Sequence, residues 1–370
     1  MTESFSSATS APNTASSLTQ LTLGFMPLTD CAPLVIAKEL GMFEQAGLEV
    51  SLARQNSWAA LRDKIHAGVI DAGQMLAPMP LASTLGVGGM RVHVMTPLVL
   101  SRNGNAITFS EPLWQEVLEV HQLAKLPLPL SASYLKPIIE QRKAKGKRLR
   151  FATVYPYSCH YYQLLSWLAQ GRIAMSDVEI VIIPPVKMVD ALQQGIIDGF
   201  CVGGPWNAKA VRQQIGLTGL TSSDIWPDFP EKVLGIRNTL YAQRPEVFQR
   251  LVTVILQSCQ WLESVPNRLE AARILCRKEY LDTDLDVVAP SLLGSCLTHH
   301  TRAPRHVPAY NQFSSQDATG DIGTGNCPEP NLGDWIANQM LAAKHIRPEQ
   351  LEGEVLKSVY RADIYRQIVG

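Results

Sequence analysis

The chain has 370 residues, enough for two lobes of ordinary size, and is 46% hydrophobic against 18% charged, the balance of a compact soluble protein. Basic and acidic residues match at 33 each, so the zero net charge gives no long-range pull toward nucleic acid or an anionic membrane; any anion must be captured by a local site. Seven cysteines, odd in number, scattered and without a C-x-x-C pair, argue against a disulfide framework and for a reducing, cytoplasmic compartment.

Residues 1–18 are rich in Ser, Thr and Ala, carry no Lys or Arg, and contain no long apolar run. They read as a disordered segment, with neither a secretory signal nor a transmembrane helix. The stretch 21–25, the run 32–40 after Thr29-Asp30, the stop at Gly41 and the run 47–50 read as strand, capped helix and strand, one βαβ unit. A helix over 58–67 ends at Gly68, and a strand begins in Val69-Ile70-Asp71-Ala72-Gly73.

Turn-prone Arg102-Asn103-Gly104-Asn105 marks a crossing to a second lobe. That lobe takes a helix over 111–123, a basic linker over 141–150 and a strand over 149–154. A helix over 161–171 and a strand over 178–183 follow. A helix over 188–194, its stop at Gly195 and the strand Ile196-Ile197-Asp198-Gly199-Phe200 repeat the grammar of 58–73: helix, glycine, buried strand. The chain returns near 232–238, continues with helices over 245–263 and 268–279, a long irregular loop over 300–333, and a helix over 334–344. The fold class is α/β: lobe one from 19–103 plus 236–370, lobe two from 104–235, with a ligand cleft between them at the carboxyl ends of the strands.

Four residues stand beside predicted strand ends or crossings: Trp58, Asn105, His160 and Lys232. Trp58 follows Asn56-Ser57 at a helix N-terminus, where free N–H groups and the helix dipole favour an anion, and its indole N–H only donates. Each also has a plain structural reading: a core tryptophan, turn chemistry for Asn105, a structural or surface histidine, a surface lysine. Val202 and Gly203, after the second-lobe strand, offer backbone groups to the cleft. The sequence lacks a phosphate loop and a G-x-S-x-G signature, and Cys296, His299, His300 and His306 lack the spacing of metal ligands. No metal site and no cofactor motif is therefore expected.

The phrases Q-N-S-W-A-A-L-R-D-K-I (55–65), the 68–81 run with A-P-M-P, R-N-G-N-A-I-T (102–108), F-C-V-G-G-P-W-N (200–207) and F-P-E-K (229–232) resemble the nitrate/bicarbonate-binding proteins of ABC transporters, over about residues 20–345. The resemblance implies a type II periplasmic-binding-protein fold. It also implies that positions matching Trp58, His160 and Lys232 contact the anion. Asn105 stands where a Gln is usual and Gly204 where a Glu is common. Lys232 stands where bicarbonate-binding relatives have an acid, and so favours nitrate or nitrite. Without an export signal, the chain is similar to the NasS branch of cytoplasmic nitrate/nitrite sensors. Members of that branch hold an RNA-binding transcription antiterminator, NasT, and release it on ligand binding. The alternatives are a transport-binding protein for nitrate/nitrite and the thiamine-pyrimidine synthase branch of the fold, whose cysteine-rich motif is absent.

Overall fold

The computed structural model describes residues 18–314 and 324–370. The expected disordered segment therefore lies, but for Leu18, outside the described residues. Two sheets carry the architecture. In the first, β1 (Thr19–Phe25) pairs in parallel with β2 (Leu48–Arg54) and β3 (Ala72–Leu76). The short β4 (Val94–Met95) and β5 (Val99–Asn103) precede the crossing. The second sheet has the order β10-β6-β9-β7-β8, from β6 (Asn105–Ser110), β7 (Leu149–Thr153), β8 (Val178–Ile182), β9 (Gly199–Gly203) and β10 (Gly216–Thr221). Then β11 (Pro230–Arg237) returns antiparallel between β3 and β5. Sheet membership puts the return ahead of Pro230, six residues before the expected lobe boundary.

The first crossing is a single residue. Asn103 ends β5, Asn105 begins β6, and Gly104 between them adopts φ +91°, a left-handed angle that glycine takes without steric cost.

The repeated phrase has a physical basis. The helices Trp58–Ala67 and Met188–Gln193 are each followed by a left-handed glycine, Gly68 (φ +76°) and Gly195 (φ +65°). Asp71 Oδ2 then accepts the Thr22 N–H of β1 at 2.7 Å, and Asp198 Oδ2 accepts the Arg150 N–H of β7 at 2.7 Å. The same carboxylate ties the same neighbouring strand in both lobes. The strands begin three residues later than the apolar runs, at Ala72 and Gly199, because the Ile-Asp pair forms this turn.

Residues 298–312 are not the free loop expected of 300–333. Thr298 O accepts the Thr218 N–H at 2.8 Å, Arg305 pairs with Asp224, and Asn311–Gln312 joins the edge of β5. This stretch straps the second sheet to the first; 315–323 lies outside the described residues. Each lobe has its own apolar core, and a third cluster spans both, with Met26, Trp58 and Leu76 from one side against Val154, Tyr162 and Phe200 from the other. The lobes are closed on each other: Gly204 O accepts the Thr29 N–H at 2.8 Å, and Arg62 donates to the Tyr155 hydroxyl at 2.8 Å.

Candidate functional site

Two helix N-termini, one from each lobe, meet at this junction. Ser57 caps the Trp58–Ala67 helix by accepting the Ala60 N–H at 3.1 Å. Ser158 caps the Cys159–Gln170 helix by accepting the Tyr161 N–H at 3.1 Å and donates its own hydroxyl to Tyr155 O at 2.6 Å. Trp58 and His160 thus stand in first turns, whose positive dipole ends favour an anion. Both are fully buried. Trp58 Nε1 and both ring nitrogens of His160 have no hydrogen-bond partner among the described residues. Unpaired buried polar atoms are costly, and the Trp58 indole N–H together with the one N–H of a neutral His160 ring gives two donors free for a ligand.

Lys232 reaches the same place from β11, its Nζ 5.8 Å from the Trp58 ring centroid. It is completely buried, which removes the surface reading, but its charge is not free for an anion. Its Nζ lies 2.8 Å from Asp30 Oδ2 and 3.0 Å from Glu231 Oε1. Burial opposes the lysine charge, yet the two carboxylates outweigh it and hold the Lys232 pKa above its ordinary value. Burial pushes Glu231 up, with Lys232 opposing. Burial, then the Lys232 ammonium, keeps His160 well below the usual histidine range and therefore neutral at neutral pH. Its Nδ1 is 3.5 Å from Glu231 Oε1.

Asn105 commits one of its two amide N–H groups within the protein. Its Nδ2 donates to Gln163 Oε1 at 2.9 Å, leaving Gln163 Nε2 without a partner and Asn105 Oδ1 unpaired among the described residues. The amide aimed at the cluster is Gln163's, on the helix of His160 and nearly one turn beyond it. Gly203 pairs with Asn105 across β6 and β9, and a Cβ on it would sit 3.3 Å from Asp30 Oδ2. Val202 is the exception among the expected residues. Its carbonyl accepts Asn207 Nδ2 at 2.8 Å and its side chain lies in the interlobe apolar cluster, so it packs rather than offering a free carbonyl. The structure therefore brings Trp58, His160, Lys232, Asn105 and Gly203 together, and adds Asp30, Gln163 and Glu231.

Sequence reasoning passed over these three for identifiable reasons. Asp30 read as part of a helix start, and it is held by Gln74, whose Oε1 also accepts the Met26 N–H at 3.0 Å. Gln163 has the i+3 spacing from His160 that was available as a signal. Glu231 and Lys232 are consecutive in a strand and should face opposite sides, but the β11–β5 register shifts between Pro230 and Lys232, and both side chains turn into one cluster.

Gly204 has its own reason. A Cβ there would lie 2.6 Å from Ser291 Oγ and 2.8 Å from Thr29 Oγ1, on the contact that closes the lobes. Gly204→Ala is expected to lower anion affinity about tenfold for each 1.4 kcal/mol of strain it adds to closure. Calorimetry giving an unchanged dissociation constant would show that the contact yields to a methyl group. Among the described residues no three His, Cys, Asp or Glu side chains gather as metal ligands do.

The sequence profile of the NMT1-like family matches residues 14–276. The nitrate import ATP-binding protein NrtC of Synechocystis sp. is 35% identical over 348 residues, 93% of this chain and 49% of that protein. The bicarbonate transport ATP-binding protein CmpC of the same organism is 36% identical over 274 residues, 72% of this chain and 39% of that protein. The chain thus spans about half or less of these two relatives. The crystal structure of the periplasmic nitrate-binding protein NrtA from Synechocystis superposes with a TM-score of 0.85 at 24% identity, covering 95% of this chain and 88% of that one. The likeness shows a two-lobed periplasmic-binding-protein fold.

Proposed function

Since the chain belongs to the NMT1-like family, we propose that it binds nitrate or nitrite between its lobes and catalyses no reaction. The observation that carries this reading is the set of buried donors at the junction: Trp58 Nε1, a His160 ring nitrogen and Gln163 Nε2, all unpartnered, beside the Lys232 ammonium. A small planar anion accepts hydrogen bonds in several directions, as this set requires, and hydrogen bonds to a charged partner contribute about 1.5–3 kcal/mol each. Relatives named for nitrate import and nitrate binding support the assignment. Calorimetric titration with nitrate, nitrite and bicarbonate tests it. Nitrate or nitrite should bind with a dissociation constant on the order of micromolar, about −8 kcal/mol. Tighter binding of bicarbonate than of either would overturn it.

The finer reading is a cytoplasmic sensor that sequesters a NasT-like RNA-binding antiterminator and releases it when nitrate or nitrite closes the lobes. All seven cysteines are free thiols, six of them buried, which supports a reducing compartment. In this reading ligand and partner couple reciprocally: the factor by which nitrate weakens the partner is the factor by which the partner weakens nitrate. Titrations with and without saturating partner check this, and equal nitrate affinity in both would sink the sensor mechanism. The relatives named for import favour the second reading, a binding component of nitrate/nitrite uptake. That role requires capture by a membrane transporter instead of an antiterminator.

A further inference from the structure

The junction holds more negative charge than an anion site should. Asp30, Glu231 and Lys232 are all buried, and each carboxylate has an oxygen within 3.0 Å of Lys232 Nζ, so their formal charges leave the cluster negative by one before any anion enters. A monoanion brought into the same desolvated space doubles that imbalance, and charge of one sign is strongly disfavoured there. Among the described residues, Glu231 Oε2 has no hydrogen-bond partner. Asp30 Oδ2 likewise has no hydrogen-bond partner, but it lies 2.8 Å from the Lys232 ammonium, and Gln74 donates to Asp30 Oδ1.

We propose that Glu231 takes up one proton from solvent when the anion enters, so that binding is proton-coupled and Glu231 sets its pH dependence. The inference rests on the anion-binding reading above. One H⁺ and one anion enter together; the carboxylate becomes a carboxylic acid, and the cluster charge stays where it was. The proton also turns an acceptor facing the site into a donor, which an acceptor-only anion can use. The groups around Glu231 leave it as the acceptor of the proton. On its own strand stands Lys232, already protonated. From the turn at Thr29–Cys31 comes Asp30, and from the Cys159–Gln170 helix come His160 and the Cys159 thiol. From β9 comes the Cys201 thiol. Burial holds both thiols in their protonated form, and a proton on His160 would have to share the site with the Lys232 ammonium.

Nitrate titrations at neutral pH in PIPES and in Tris, whose ionisation enthalpies differ, read the proton count directly. Uptake of about one proton is expected, with affinity falling about tenfold per pH unit on the alkaline side. Glu231→Gln should bind nitrate with no buffer dependence and a flat pH profile. If that variant does not fold, nitrate-induced infrared difference spectra of protein carrying ¹³C-glutamate carboxyls make the assignment: a labelled carboxylate band should be lost and a labelled carboxylic-acid band gained. Nitrate binding with equal heats in both buffers would overturn proton coupling while leaving the anion reading intact. Uptake that persists in Glu231→Gln, or an unlabelled carboxylic-acid band, would overturn the assignment to Glu231. Failure to bind nitrate or nitrite at all would remove the anion reading and this inference with it.

Discussion

Lys232→Met is expected to abolish anion binding and to cost the folded protein about 3–5 kcal/mol, since it leaves Asp30 and Glu231 buried without their counter-ion. From the sequence alone, removal of this lysine looks like a clean loss of a binding charge with the fold untouched. The buried triad changes that expectation. Urea unfolding, set beside calorimetry, separates the two effects. The triple variant Asp30→Asn, Glu231→Gln, Lys232→Met should recover much of the stability, because no bare charge remains, while staying unable to bind nitrate. If Lys232→Met unfolds at the same urea concentration as the parent, the two carboxylates do not depend on the lysine and the triad reading is wrong.

Trp58 divides differently. Trp58→Phe keeps most of the apolar bulk in the interlobe cluster and removes one indole N–H that has no partner within the described protein. Affinity for nitrate should fall by about 1.5–3 kcal/mol, roughly ten- to a hundredfold, with a smaller change in stability. Trp58→Ala removes the packing as well and should cost about 3–5 kcal/mol of folding free energy. The contrast matters because a core tryptophan would behave oppositely, with Phe nearly silent toward ligand. Nitrate titration of the Phe variant showing parental affinity would return Trp58 to the core.

Much of the architecture was legible because local chemistry fixes it. The helix Trp58–Ala67 was readable to the residue, from Ser57 as its cap and Gly68 as its stop. The one-residue crossing at Gly104 was readable from the turn residues around it, and the repeated Ile-Asp phrase from its recurrence at 70–71 and 197–198. The stretch 298–312 was not legible, since its hydrogen bonds run to partners such as Thr218 and Asp224, far away in the chain.

The sequence by itself determined the two-lobe plan and put Trp58 at a helix start and His160 between a strand and a helix, because caps, glycine stops and apolar periodicity act over a few residues; their contact with an anion was implied by the family resemblance alone. Only the tertiary structure decided the electrostatics. The register shift at Glu231 is a property of strand pairing, and the approach of Asp30 to Lys232 is a contact between segments about two hundred residues apart in the chain. Charge balance in a desolvated cluster depends on which groups are brought within hydrogen-bonding distance, and no local pattern carries that distance.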